Sequence, residues 1–297
     1  MLSIVVPTYN EEDFLPRLLA SIEIQDYTDR EVIVADNDSG DRTRAIARAR
    51  GARVVAGGTP AVGRNRGAAA ARGEYLMFLD ADVVLPEGFL SRIVRRFDEA
   101  FVDICVPWIR PVDGTKAIYR TIYQLSNTFY KLMESLQPQG LGVCILVTRR
   151  LHERIGGFAE SKRVSEDFDY IGRAAQIGRF RVFPGVHVYH SVRRYAAEGV
   201  GPLMQKQLAS GALYLITGKA AEMPNYEFGM FSHKLLEERA GSRPGQDRQE
   251  VTRLLETFNE QRRRLRSQME HLEDGTPPPR RRKIEDRRRK TADRRRK

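Results

Sequence analysis

The stretch "EYLMFLDADVVLPEG", Glu74 to Gly88, decides the fold. Tyr75 to Leu79 is apolar at every position, as in a strand buried on both faces. It ends in two carboxylates one residue apart, Asp80 and Asp82. Charged groups beside a core are costly unless something pairs with them. In an extended backbone, residues two apart project to the same side. The spacing therefore predicts that both acids reach one hard divalent cation, or that one reaches the ion and the other a ligand hydroxyl. Magnesium binds through one or two carboxylates and fills its sphere with water and phosphate oxygens. The competing expectation is structural, with acids capping a turn at Pro86–Gly88.

The same pattern recurs on either side. Strands are expected at 2–7, 31–36, 52–57, 75–80 and 102–108, with another at 142–148. Between them Phe14, Leu15, Leu18, Leu19 and Ile22 fall at helical spacing, as do Ile93, Val94 and Phe97. Apolar runs separated by helices predict an α/β fold, a mainly parallel sheet covered on both faces. Ligands then bind beyond the carboxyl ends of the strands. Three polar clusters sit there: "TYNEED", "DNDSGD" and "DAD". The run "GAAAARG", 67–73, reads as a helix packed tightly on the sheet.

The chain has 297 residues, 41% of them hydrophobic, and a net charge of +11. Arg280 to Lys297 holds twelve Lys/Arg against three Asp/Glu, so the rest carries only +2. The basicity belongs to a tail that repeats Arg-Arg-Arg-Lys every seven residues, a pattern expected to be solvated and disordered. Cys105 and Cys144 lie in apolar contexts. Reduced thiols in a cytosolic protein are expected, with a disulfide or metal pair as the alternative. The start reads as a first strand rather than a signal peptide, and no apolar run spans a bilayer. A long helix is expected at 115–137. Between 246 and 272, Val251, Leu255, Phe258, Leu265, Met269 and Leu272 follow a heptad-like order, interrupted by Arg262. The expected divisions are a catalytic domain at 1–220, a helical extension at 221–274 that could pair as a homodimer or pack on its own domain, and a tail at 275–297.

Five ordered pieces carry a family resemblance: "SIVVPTYNEE" (3–12), "EVIVADNDSGDRT" (31–43), "GRNRGAAAARGEYLMFLDADV" (63–83), "RIGGFAE" (154–160) and "SEDFDY" (165–170). Together they resemble the family 2 glycosyltransferases, inverting nucleotide-sugar enzymes of the Rossmann-like GT-A fold, which implies a mainly parallel mixed sheet with helices on both faces. The resemblance implies donor-binding roles for Pro7, Tyr9 and Glu11, with Tyr9 packing against the nucleotide base. It places base and ribose contacts at Asp36, Asn37 and Asp38, where Asn37 departs from the family's paired acids and leaves uracil or guanine open. Arg64 and Asn65 fall where the family contacts the nucleotide or its diphosphate. Asp82 is implied as the direct metal ligand, with Asp80 near the ribose or metal-bound water, and the cation as Mg²⁺ or Mn²⁺.

Inversion needs a base for the acceptor hydroxyl. Asp167 matches the family's base, and Glu166 beside it shares or orients. Adjacent carboxylates raise one another's pKa. The structural alternative is a helix start capped by Ser165. His190, followed by Arg193 and Arg194, is preferred to His187 as a residue approaching the metal or diphosphate. The Gln-x-x-Arg-Trp signature of processive synthases is absent, which favours addition of one sugar. The implied acceptor is a hydroxyl or a polyprenyl-linked lipid, and the basic tail implies a peripheral place on the cytoplasmic membrane face. Two rival expectations are a nucleotidyltransferase of similar fold and a non-catalytic polyanion-binding protein.

Overall fold

The computed structural model describes residues 1–112, 117–162 and 165–198. The expected domain limit near 220, the 246–272 repeat and the basic tail lie outside these residues. The strands are β1 Leu2–Thr8, β2 Arg30–Asp36, β3 Arg53–Ala56, β4 Tyr75–Leu79, β5 Val83–Val84, β6 Ile104–Pro111, β7 Cys144–Thr148 and β8 Phe180–His190. The helices are α1 Leu15–Glu23, α2 Thr43–Ala49, α3 Pro60–Ala70, α4 Phe89–Glu99, α5 Ala117–Met133, α6 Arg149–Arg154, α7 Glu166–Ile177 and α8 Arg193–Glu198.

The strands form one sheet in the order β3-β2-β1-β4-β7-β6-β8-β5. The first four are mutually parallel, with Leu2 opposite Arg30 and Thr8 opposite Asp36. Strand β7 runs antiparallel to both neighbours, and β5 antiparallel to β8. Every residue of β1 is buried. Successive side chains point to opposite faces, so both faces of this central strand are covered. The sheet is thus mainly parallel and mixed, as expected.

Helix α1 buries Leu15, Leu18, Leu19 and Ile22, the positions whose spacing marked it. Helix α3 comes closest to the sheet. A Cβ built on Gly67 would lie 2.2 Å from Val5 Cγ1, and one on Gly63 3.1 Å from Pro7 Cβ. A larger residue at position 67 would force Val5 to shift. Helix α5 is fixed to β6 by Asn127, whose amide accepts from Ile109 N–H (3.0 Å) and donates to its carbonyl (2.8 Å). Helix α7 is anchored by Tyr170, stacked on Phe158 at 3.8 Å. Its hydroxyl meets His152 Nδ1 at 2.9 Å, and burial pushes that imidazole down to about 4 and keeps it neutral.

Strands β6 and β8 slip in register: Pro107 faces Phe183, while Trp108 faces His187. Pro184 to Val186 are left over as a bulge, which Gly185 turns at a φ of 85°. Both cysteines are buried and free. Among the described residues, no helix is long and apolar enough to cross a membrane.

Candidate functional site

Asp80 and Asp82 are not an extended pair, as the sequence suggested. They occupy a turn between β4 and β5, closed by Val83 N–H donating to the Asp80 carbonyl at 3.3 Å. The expected turn at Pro86–Gly88 also forms, with Gly88 left-handed at a φ of 65°. Turn and site thus coexist. The short β5 pairs Val83 with His190 at the end of β8. That pairing delivers the imidazole, and His190 Nε2 lies 3.3 Å from Asp82 Oδ1. One ligand atom each from Asp80, Asp82 and His190 lies within 4.8 Å of the others. Tyr123 of α5 orients the ring from behind, its hydroxyl 2.8 Å from His190 Nδ1. His187 lies apart, edge-on to Tyr189.

Two arginines, the buried Arg64 and the half-buried Arg193, hold these acids. Arg64 Nη2 donates to Asp80 Oδ1 (2.8 Å) and Nη1 to Glu166 Oε1 (2.7 Å). Its Nε is a buried donor without an acceptor among the described residues. Burial opposes the guanidinium's charge, but Asp80 and Glu166 outweigh it and raise the pKa above the ordinary value. Arg64 therefore clamps Asp80 and Glu166 together. Asn65, expected at the nucleotide, is spent elsewhere: it accepts from Phe158 N–H (2.8 Å) and donates to its carbonyl (2.9 Å). That clamp fastens the "RIGGFAE" piece to α3. The sequence had no signal for this use, because an amide serves either role equally well.

The second arginine, Arg193, is bidentate to Glu11, with both contacts at 2.8 Å, and meets Asp82 Oδ2 through Nε at 2.9 Å. The sequence marked it only as a neighbour of His190. Burial raises the Asp82 carboxyl, yet Arg193 and His190 pull it below the usual carboxylate range. Burial lifts Asp80 against the pull of Arg64, and lifts Glu11 against Arg193.

Asp167 lies in the first turn of α7, one turn before Tyr170. Its Oδ2 accepts from Gly142 N–H (2.7 Å) and its Oδ1 from Phe168 N–H (2.8 Å). Burial first, and the Glu166 charge second, push its pKa up to about 7, against Arg64 and the two N–H groups. Ser165 precedes the helix at a φ of 57°, but its side chain makes no capping bond. The expected serine cap is corrected to a left-handed entry turn. Acids still crowd the first turn, where the helix dipole favours them.

At the end of β2, Asp36 is occupied by its own loop and by β1. It accepts from Thr8 Oγ1 (2.9 Å), Ser39 N–H (2.9 Å) and Ser39 Oγ (2.6 Å). Asn37 N–H donates to the Thr8 carbonyl at 2.9 Å. Asp38 is exposed and pairs with Arg44. These bonds join the ends of β1 and β2, where Pro7 is buried and Tyr9 half-buried. The structure brings Asp80, Asp82, His190, Glu11, Arg64, Glu166 and Asp167 into one connected cluster, with Asp36 to Asp38 in the adjacent loop.

A family model described as glycosyl transferase family 2 matches residues 3–153, just over half of the chain. The chain belongs to glycosyl transferase family 2. This family 2 chain is 28% identical over 251 residues to the succinoglycan biosynthesis protein ExoO of Rhizobium meliloti, covering 70% of this chain and 72% of that one. It is 31% identical over 114 residues to the GalNAc(5)-diNAcBac-PP-undecaprenol beta-1,3-glucosyltransferase of Campylobacter jejuni, over 35% of this chain and 36% of that one. The chain thus spans about a third of the length of the first curated relatives it matches. In fold it resembles the mannosyltransferase PcManGT of Pyrobaculum calidifontis, solved with GDP-Man and Mn²⁺, with a TM-score of 0.57 and 22% identity over 84% of this chain and 72% of that one. It also resembles S. aureus TarS, with a TM-score of 0.54 and 20% identity over 83% of this chain and 50% of that one.

Proposed function

We propose that this family 2 chain is a metal-dependent, inverting glycosyltransferase. It moves one sugar from a UDP- or GDP-linked donor to an acceptor hydroxyl or a lipid-linked acceptor. One observation carries the reading: Arg64 bridges Asp80, beside the Asp82–His190 pair, to Glu166, beside Asp167. A cation-binding acid cluster and a buried carboxyl of raised pKa are thereby held next to each other. Family membership and the sugar-transferring relatives named above support it.

Two carboxylates and one imidazole suit Mn²⁺, and suit Mg²⁺ less well because Mg²⁺ prefers oxygen donors throughout. A cation held by Asp80, Asp82 and His190 would stabilise the charge on the leaving nucleoside diphosphate. The chain's own residues do the rest. The loops after β1 and β2, with Pro7, Tyr9, Asp36, Asn37 and Asp38, receive the nucleoside, and Asp36 keeps their shape. Asp167 accepts the proton of the attacking hydroxyl as the new C–O bond forms at the anomeric carbon and the bond to the diphosphate breaks. Gly142 and Phe168 fix its two oxygens, so the base is aimed before the acceptor arrives. Glu166 holds Arg64 and keeps Asp167 from ionising too early.

The full chain, incubated with UDP- and GDP-sugars and Mn²⁺ or Mg²⁺, should release nucleoside diphosphate. Released pyrophosphate would instead mark a nucleotidyltransferase. The Arg-rich tail is proposed to hold the enzyme on an anionic membrane surface at the cytoplasmic side, and the 246–272 repeat to pair two copies.

A further inference from the structure

Asp82 has two carboxylate oxygens, and the chain itself engages both. His190 Nε2 lies 3.3 Å from Oδ1 and Arg193 Nε 2.9 Å from Oδ2. The three nitrogens of the Arg193 guanidinium are all engaged too. Nη1 and Nη2 form a fork on Glu11 Oε2 and Oε1, and its face rests 4.3 Å from the Phe14 ring centroid. Asp82 and Glu11 are both buried. A buried carboxylate without a cation is costly, and these two acids share one guanidinium.

We propose that Arg193 is a resident counter-cation for Asp82, and that a divalent ion is taken up only as the Arg193 Nε releases that carboxylate. The inference rests on the metal-binding reading of Asp80, Asp82 and His190. The bonding favours this division. Glu11 is held by two parallel charged bonds, the stronger arrangement, and Asp82 by one. Release gives up a single contact, while the fork on Glu11 and the stack on Phe14 keep the guanidinium in place as a pivot. An arginine suits this task better than a lysine, whose single point charge cannot bridge two acids in fixed geometry.

The arrangement has a cost in metal affinity. A divalent ion brings two positive charges to an atom that a positive group already occupies, so the two compete for Asp82. Bare metal is therefore bound weakly, and the acids stay matched in its absence. An anionic donor adds negative charge beside the cation, so metal and donor enter together more readily than metal alone.

The test is Mn²⁺ binding to the full chain without donor, followed by titration calorimetry and by the paramagnetic resonance signal of free Mn²⁺. Wild type, Arg193→Met and Asp82→Asn are compared. Arg193→Met should bind Mn²⁺ roughly tenfold more tightly than wild type, because its competitor is gone. Asp82→Asn should bind it at least about tenfold more weakly. An arginine that only supports the fold predicts the opposite for Arg193→Met, since a loosened Asp82 is a poorer ligand. Equal or weaker binding by Arg193→Met, with binding lost in Asp82→Asn, overturns the counter-cation and leaves the metal reading standing. Unchanged binding in Asp82→Asn overturns the metal reading itself. Should the methionine variant fail to fold, Arg193→Gln removes the charge while keeping a donor for Glu11, and the same gain is expected of it.

Discussion

A carboxyl with a pKa of about 7 makes a base that switches on within the ordinary pH range. If Asp167 takes the acceptor proton, only its ionised form works. That form is about one molecule in eleven at pH 6 and about ten in eleven at pH 8. With a hydroxyl acceptor, kcat/KM for the acceptor should therefore rise roughly tenfold between those pH values, with its inflexion near neutrality, since this ratio reports the form of the enzyme that meets the acceptor. The structure also says which way a second substitution moves the curve. Glu166 raises the Asp167 pKa by its charge and also holds one arm of Arg64. Glu166→Gln removes that charge and leaves Arg64 with less to neutralise. Both changes favour ionised Asp167, so the inflexion should move to lower pH. Burial lowers the pKa of His190, but Asp82 outweighs it and raises it above the ordinary value; the imidazole sits against Asp82 and Arg193, so its contribution should not follow Glu166. The assay is initial-rate release of nucleoside diphosphate across the pH range, with metal and donor saturating and acceptor limiting. A profile flat from pH 6 to 8, or an inflexion unmoved by Glu166→Gln, would refute the role given to Asp167.

Asp167→Asn should lower turnover by about 10²–10⁴-fold while leaving donor affinity, read by calorimetry, near that of wild type. Tyr123→Phe removes the hydroxyl that meets His190 Nδ1 and should weaken Mn²⁺ binding by roughly tenfold, a loss visible in a metal titration. Gly67→Ala places a methyl 2.2 Å from Val5 Cγ1 and should lower stability by about 1–3 kcal/mol or more, seen as a reduced denaturant midpoint. Deleting Arg280–Lys297 should release the chain from anionic vesicles in co-sedimentation without altering transfer to a small soluble acceptor, and high salt should mimic the deletion.

The parallel half of the sheet was legible because its strands are apolar without alternation and end in polar clusters. Direction was not legible. The run "CILVT" reads alike whichever way it lies, so the reversal of β7 appears only in its pairing with β4 and β6. Strand β8 escaped because Pro184–Gly185 looks like a turn, whereas it forms a bulge that lets the strand continue to His190. Asp36, Asp80 and Asp82 are legible because carboxylates at strand ends are conspicuous, whereas Glu11, Glu166 and Asp167 are legible through the family resemblance. Their partners were harder. Arg64 and Asn65 sit side by side in sequence, yet one holds Asp80 and Glu166 and the other holds Phe158. Nothing local separates those uses, because the partners come from distant segments. Arg193 needed the β5–β8 pairing before its reach to Asp82 could be seen.

The reversed strand β7 divides the molecule's freedom to change. Because it runs against its neighbours, the chain enters the sheet at the site edge, so Gly142 meets Asp167 and the Val143 carbonyl accepts from Asp80 N–H at 3.1 Å. The parallel strands deliver Glu11, Asp36 and Asp80 as they leave the sheet, and a change in length there shifts several of them together. The segment leading into β7 touches the cluster at one short stretch of backbone. On the proposed function, substitutions upstream of Gly142 should reshape the acceptor's approach while the strands proposed to hold the nucleotide stay fixed. On that reading a lineage acquires new acceptors by altering one connector, with the half proposed to activate the sugar inherited unaltered.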